Sequence, residues 1–386
     1  MNQEPAPSQL DHVVMAVFFS RGMSLETWRR AGILEREMAL YRQLEQRVAR
    51  LYFVTYGRSD DQTNCPDLGT IEVLPNRWLL PPNLYSVLAP WLHRSSLRNV
   101  SIHKTNQVNG GWTALLARTL IGGKLLVRCG FVWSDFVARL GAGALRRWIS
   151  TRIERLLFRA ADAIIVASPA DARQIEGRHG PLLASVTTVG NYVDLDQFRS
   201  LPDVLRQAGR LTFVGRLEDQ KNPMSLLDAL VGLDCVRLTV VGDGPLRPIL
   251  EAQARRLNLD VEFRGIVDHT TLPVLLNRSE AFVLPSKYEG TPKALLEAMA
   301  CGVPVIAARS PGITDVVTHN QNGYLCGVSS QEIGEAIRSV LFDSALRERL
   351  SREGVRYVTD HHALATAVEQ ETSIITHLCP TGEDSG

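Results

Sequence analysis

The chain has 386 residues, enough for two domains of ordinary size. Hydrophobic residues make up 45% and charged residues 22%, a soluble globular composition, and Lys plus Arg (42) nearly balance Asp plus Glu (41). That balance, without a basic stripe interleaved with aromatics, argues against a nucleic-acid partner, and no run of about 18 apolar residues is present to span a membrane.

In chain order, Asp11 and His12 precede a short apolar run over 13–19, which reads as no secretory leader. Residues 12–20 read as a buried first strand and 24–47 as one long amphipathic helix. Further strands are expected at 51–56, 70–74, 99–103, 124–129, 163–167 and 186–189. Short apolar runs alternating with helical patterns predict an α/β chain built on parallel sheets. Residues 144–160 carry five arginines against one glutamate, with Trp148, Ile149, Ile153, Leu156 and Leu157 between them. Such a helix either packs its apolar stripe on the sheet or lies on anionic lipid, and the packed helix is preferred. Residues 189–210 have loop composition. A second βα series follows, with strands at 211–215, 236–242, 261–265, 281–285, 303–307 and 323–326. The chain closes with a helical region, 332–377, and a tail that reads as disordered; no solenoid repeat or low-complexity tract is present.

The six cysteines, Cys65, Cys129, Cys235, Cys301, Cys326 and Cys379, show no C-x-x-C spacing. Neither a metal knuckle nor a disulfide frame is expected, and buried free thiols in a reducing cytosol fit better. Cys129 and Cys301 each adjoin a glycine, and packing as small hydrophobes is preferred to reactivity for both.

The most informative stretch is 284–317. Glu289 and Glu297 stand on either side of a helix start, with Thr291 as the expected N-cap and Pro292 at the first helical position. The unpaired amides of that first turn form an anion site, and the carboxylates can accept from hydroxyls. Taken alone, Glu289 reads as a solvated loop residue and Glu297 as a surface helix residue, and the flanking sequence reverses that preference. Arg216 and Lys221 follow the strand 211–215, and an exposed basic pair is the ordinary reading for them. Gly242 and Gly244 in VGDGP form either a plain tight turn or a close backbone approach to a ligand, with Pro245 placed to begin a helix.

Taken together, VGRLEDQKN (214–222), VGDGPLR (241–247), the E-x7-E pair with LLEAMACGVPVIA, and Pro311-Gly312 followed by Asp315-Val316-Val317 resemble the donor-binding half of family-4 glycosyltransferases. The N-terminal half resembles that family only in its strand–helix rhythm. The resemblance implies a GT-B fold, two doubly wound Rossmann-like domains facing a cleft. Its domains are 1–190 (acceptor side), a linker at 191–209 where Asn191, Val193, Asp194 and Phe198 resemble the hinge, and 210–360 (nucleotide-sugar donor domain). A helix at 361–378 returns to the N-terminal domain, and 379–386 is the tail.

It also implies a retaining, metal-independent hexosyltransferase acting on a UDP- or GDP-linked sugar as co-substrate, with no other cofactor. Arg216 and Lys221 would clamp the leaving diphosphate. Glu289 would hold a hydroxyl of the transferred sugar, and Glu297 the ribose. Gly290, Thr291, Pro292, Lys293, Ala294 and Leu295 would complete the sugar and phosphate contacts, while Gly242, Gly244 and residues 265–267 line the nucleotide pocket. In the family's same-face mechanism the departing phosphate takes the acceptor proton. On the N-terminal side Gly22 is the one match to a glycine-rich loop over the phosphates. Lys104, Asn106 and Arg128 are the acceptor-side candidates, with local loop hydrogen bonds as the alternative, and His103 is read as a core residue. The expected partner is a saccharide or lipid-linked acceptor in surface polysaccharide or glycolipid assembly. The expected location is the cytoplasm, peripheral at the inner face of the membrane if 144–160 meets lipid. The alternatives are a nucleotide-sugar epimerase of GT-B fold and a non-catalytic nucleotide-sugar-binding module.

Overall fold

Two parallel sheets organise the chain, each with central strands that are largely buried on both faces. The computed structural model describes residues 10–59, 61, 68–130, 133, 134, 137, 141 and 143–380; Cys65, Phe131 and the end of the tail, 381–386, lie outside the described residues. The chain divides into one unit comprising Met1–Gly190 with Ala367–Gly386, and a second comprising Asn191–Thr366.

In the first unit the strands are β1 (Leu10–Phe18), β2 (Val48–Val54), β3 (Glu72–Leu74), β4 (Ile102–Thr105), β5 (Lys124–Cys129), β6 (Ala163–Val166) and β7 (Ser185–Thr188). They pair in parallel in the order β3-β2-β1-β4-β5-β6-β7, so the winding direction reverses between β1 and β4. Side chains alternate across the pleat. Ala16, Phe18, Leu125, Val127, Ile164 and Val166 face one core. Against that core pack Tyr85 and Ala89 of α3 (Pro82–Leu92), Ala114 and Ala117 of α5 (Gly111–Ile121), and Leu157 and Phe158 of α6 (Ala144–Ala160). A one-turn helix, α4 (Arg94–Leu97), follows α3, and α7 (Pro169–His179) leads into β7.

The helix expected over 24–47 is two helices, α1 (Leu25–Arg30) and α2 (Leu34–Glu45). Ser24 caps α1 by accepting from the Thr27 amide at 3.1 Å. Gly32, at φ +67°, then stops the helix: its amide reaches Arg29 O and the Ile33 amide reaches Trp28 O, the paired bonds of a Schellman motif. The strand expected at 99–103 lies at Ile102–Thr105, which places His103 and Lys104 inside the sheet, where both are fully buried.

In the second unit β8 (Arg210–Val214), β9 (Arg237–Val241), β10 (Val261–Gly265), β11 (Ala281–Leu284), β12 (Val305–Ala308) and β13 (Tyr324–Cys326) pair in parallel in the order β10-β9-β8-β11-β12-β13. Winding reverses between β8 and β11, the point at which open α/β sheets hold ligands beyond the strands' carboxyl ends. The covering helices are α8 (Pro223–Ala229), α9 (Arg247–Arg256), α10 (Leu272–Asn277), α11 (Lys293–Ala300), α12 (Ser330–Leu341) and α13 (Ser344–His361). The last helix, α14 (Leu364–Leu378), belongs to the first unit from Ala367 onward, where Arg47 pairs with Glu369 at 2.6 Å. Among the described residues no helix is long and apolar enough to cross a membrane.

Candidate active site

The carboxyl ends of β8 to β12 carry the residues that the motifs single out in the second unit. After β8 the chain enters a short 3-10 turn, Asp219–Lys221, which Asn222 terminates in the left-handed region. This turn is zipped to the loop after β11: the Lys287 amide donates to Gln220 O at 2.9 Å, Gln220 Nε2 donates to Tyr288 O at 2.9 Å, and Lys287 pairs with Asp219 at 2.6 Å. The zipper delivers Lys221 Nζ to Glu289 Oε1 at 2.6 Å, with the two side chains 16% and 7% exposed.

On its other side the Glu289 loop is fixed by the turn after β12. The Glu289 amide donates to Pro311 O at 2.9 Å, and Ser310 Oγ donates to Ser286 O at 2.8 Å. Gly312, at φ +80°, presses so closely on this loop that a Cβ there would land on the carbonyl oxygens of Glu289 and Gly290. Asn191 Nδ2 donates to Thr291 O at 2.7 Å. A carboxylate and an ammonium are thereby held in a loop clamped from both sides.

Arg216 stands apart. Its side chain is 69% exposed and pairs with Glu218 at 2.9 Å, so the structure brings Lys221 and Glu289 together but not Arg216 with them. Lys221 runs back past the neighbouring backbone, its Cδ 3.5 Å from where a Gly215 Cβ would stand. Gly242 and Gly244 serve close packing within the protein. A Cβ on Gly242 would strike Gly215 O, and one on Gly244 would lie 2.5 Å from Leu217 O. Pro245 does not begin the helix: α9 starts after Leu246, whose amide donates to Leu217 O, and Pro248 occupies its first turn.

Thr291 is not the cap of α11. Pro292 takes that place because its ψ of 103° is extended, and its carbonyl accepts the first helical bonds, from Leu295 and Leu296. Lys293 lies over the Tyr192 ring at 5.5 Å, and Ala294 and Leu295 continue the first turn. Glu297 is no surface residue: it is 3% exposed, and its Oε1 lies 2.9 Å from His269 Nε2. His269 packs on Phe198 with ring centroids 4.9 Å apart. Sequence reading passed over His269 because a lone histidine in VDHTT carries no motif. Cys301, one turn beyond Glu297, has its thiol pushed up to about 12 by burial. Cys129 is buried as well, but Cys235 is exposed, contrary to the expectation of buried thiols throughout.

The first unit treats its candidates unevenly. Gly22 lies in the turn after β1 with open space where a Cβ would stand. Asn106 follows β4 and its Oδ1 accepts from Tyr41 at 3.4 Å. Lys104 and Arg128 are engaged within the protein rather than left open at the strand ends. Lys104 is fully buried in an ion pair with Glu371 of α14, and Arg128 Nη1 reaches the other oxygen of the same carboxylate at 2.9 Å. Burial lowers the Lys104 pKa, and Glu371 opposes that shift. His103 is a core residue whose Nε2 meets Gly122 O at 2.8 Å; its Nδ1 has no hydrogen-bond partner among the described residues. Burial holds its pKa down at about 4.

Residues 206–356 match the model of the family described as glycosyl transferases group 1. Glycogen synthase of Mycobacterium tuberculosis is 33% identical over 246 residues, which are 59% of this chain and 58% of that protein. Alpha-D-kanosaminyltransferase of Streptomyces kanamyceticus is 27% identical over 244 residues, 58% of this chain and 63% of that protein. The chain thus spans less than two thirds of the length of these relatives. Among solved structures, Anabaena HepE in complex with UDP and glucose matches with a TM-score of 0.76 at 18% identity, covering 94% of this chain and 100% of that one. Sucrose-phosphate synthase of Thermosynechococcus elongatus matches at 0.74 and 20% identity, covering 95% and 99%. The two doubly wound units therefore have the GT-B fold, and residues 206–356 are similar to the glycosyl transferases group 1 family.

Proposed function

We propose that this chain is a retaining glycosyltransferase that moves a hexosyl group from a nucleotide-diphosphate sugar, with the donor bound at the carboxyl ends of β8 to β12. The observation that carries the reading is the Lys221–Glu289 pair, a cation and an anion held at 2.6 Å in a loop clamped on both sides. A leaving diphosphate accumulates negative charge, and an ammonium held beside it, once it exchanges its carboxylate partner for phosphate, stabilises that charge. Lys221 takes that role, and Glu289, released to the sugar, accepts from a hydroxyl near the reacting carbon. Arg216 adds a second cation by exchanging Glu218 for phosphate. Gly290, Thr291, Lys293 and Ala294 offer the amides of a helix start to the donor. Glu297, with one oxygen fixed by His269, receives the ribose. The departing phosphate takes the acceptor proton, so these side chains need supply no separate base.

The solved relatives support a nucleotide sugar as partner, since Anabaena HepE is described in complex with UDP and with UDP-glucose. A saccharide or lipid-linked acceptor in surface polysaccharide or glycolipid assembly, on the cytoplasmic side of a membrane, completes the reading. A non-catalytic nucleotide-sugar-binding module is the second reading, favoured by the commitment of Lys104 and Arg128 to Glu371. Calorimetry with UDP and GDP, followed by turnover of labelled nucleotide sugars, separates the two. Glu289→Ala should lower turnover about a hundredfold. Lys221→Ala should weaken nucleoside-diphosphate binding by about 1.5–3 kcal/mol, the value of a charged hydrogen bond. Wild-type binding and turnover in both variants would refute the site, and binding without turnover of any donor would select the second reading.

A further inference from the structure

We infer that the outer faces of α3 and α6 in the first unit form a docking surface for the anionic headgroups of a lipid bilayer. Both helices pack into one core on the same face of the sheet, with α5 between them, so their opposite sides are turned away from the protein. On α3 the residues turned outward are Leu84, Val87 and Trp91, spaced as one helical stripe, with Trp91 48% exposed. On α6 Leu145, Trp148, Ile149, Arg152 and Leu156 form another, with Trp148 56% exposed and Arg152 over its ring at 5.1 Å. Leu157 and Phe158 of α6 are fully buried and Ile153 packs partly against the same core, so the packed-stripe reading accounts for part of the helix and leaves Leu145, Trp148, Ile149 and Leu156 exposed.

The charge on this face decides the occupant. Helices α3 to α6 contain a single carboxylate, Glu154, and it is buried. Arg94, Arg98, Arg146, Arg147, Arg152 and Arg159 are exposed, and none makes an ion pair among the described residues. A chain with almost equal numbers of basic and acidic residues has therefore concentrated basic charge and half-exposed tryptophans on one surface. A second copy seated there would set arginines against arginines. A bilayer bearing anionic lipid pairs the guanidinium groups with phosphates and takes the indoles at headgroup depth. The surface adds a partner to the proposed glycosyltransferase without depending on its donor chemistry.

Flotation of the full chain with phosphatidylcholine vesicles, with and without phosphatidylglycerol, tests this. Binding is expected only to the anionic vesicles and should fall with added salt. Arg146→Ser/Arg147→Ser/Arg152→Ser should weaken it about fivefold per arginine removed. Trp91→Ser/Trp148→Ser should weaken it as well, while Arg255→Ser/Arg256→Ser on α9 should leave it unchanged. Circular dichroism and UDP calorimetry on each variant confirm that the fold is intact. No flotation with anionic vesicles, equal flotation of wild type and variants, or a stable dimer that the variants dissociate would each overturn the inference. Flotation is read without donor, so its failure leaves the Lys221–Glu289 site untouched, and failure of that site leaves flotation intact.

Discussion

Glu371→Gln isolates the buried ion cluster of the first unit. The Lys104 and Glu371 side chains are both fully buried, and Arg128 shares the carboxylate at 2.9 Å. The amide keeps the shape of the carboxylate but removes its charge, leaving the Lys104 ammonium desolvated beside Arg128. Breaking a buried pair from one side costs about 3–5 kcal/mol, a large part of the ~5–15 kcal/mol that holds a domain together. The pH dependence gives the loss a signature. A lysine whose folded pKa lies below its unfolded value binds fewer protons when folded, so stability rises with pH between the two values. Glu371→Gln removes the contribution that raises the Lys104 pKa, so the variant should recover toward wild type as pH rises from about 7 toward 10. Adding Lys104→Met should recover part of the loss at every pH. All six tryptophans lie in the first unit, so their fluorescence during urea unfolding follows that unit alone. A Glu371→Gln variant within about 1 kcal/mol of wild type at neutral pH, or a double variant less stable than the single one, would refute the reasoning.

Three further outcomes are expected. Gly312→Ala should push the Glu289 loop away, lowering UDP affinity at least about tenfold and stability by about 1–3 kcal/mol from backbone strain; calorimetry and thermal melting check it, and unchanged UDP affinity would count against the clamp. His93 and His103, each held at about 4 by burial, are neutral in the folded chain and take up protons on unfolding below about pH 6.5. Stability should fall as pH drops from about 6.5 toward 4, by up to roughly 3 kcal/mol for each, and His103→Gln should flatten the slope measured by urea unfolding. Cys235, exposed, should label rapidly with a maleimide at pH 8, while Cys301, with its thiol near 12, stays unmodified until the second unit unfolds; mass spectrometry of the labelled peptides reads both.

The central parallel strands were legible because buried strands are written as largely apolar runs: 124–129 agrees with β5 residue for residue. Local punctuation was legible in principle but misread where two signals competed. Amphipathic periodicity continues through Gly32, and it hid a glycine stop that the Schellman bonds make plain. Partners far apart in the chain left no local trace. Lys104 looked like a polar strand end because its counter-charge, Glu371, is 267 residues away, and nothing near Glu297 pointed to His269, which lies outside any motif. Short-range pattern records which apolar residues want burial, not which charged group a distant partner will draw in beside them.

The discontinuity of the first unit has a consequence for biosynthesis. Its sheet leaves the ribosome first, yet Glu371 emerges only after the whole of Asn191–Thr366 has been made. During that interval the side chain destined to be its most deeply buried cation has no counter-ion. Of the two units, the one whose synthesis begins earlier is thus completed later, and any truncation between residues 366 and 371 strikes the first unit's sheet rather than the unit at whose end the cut is made.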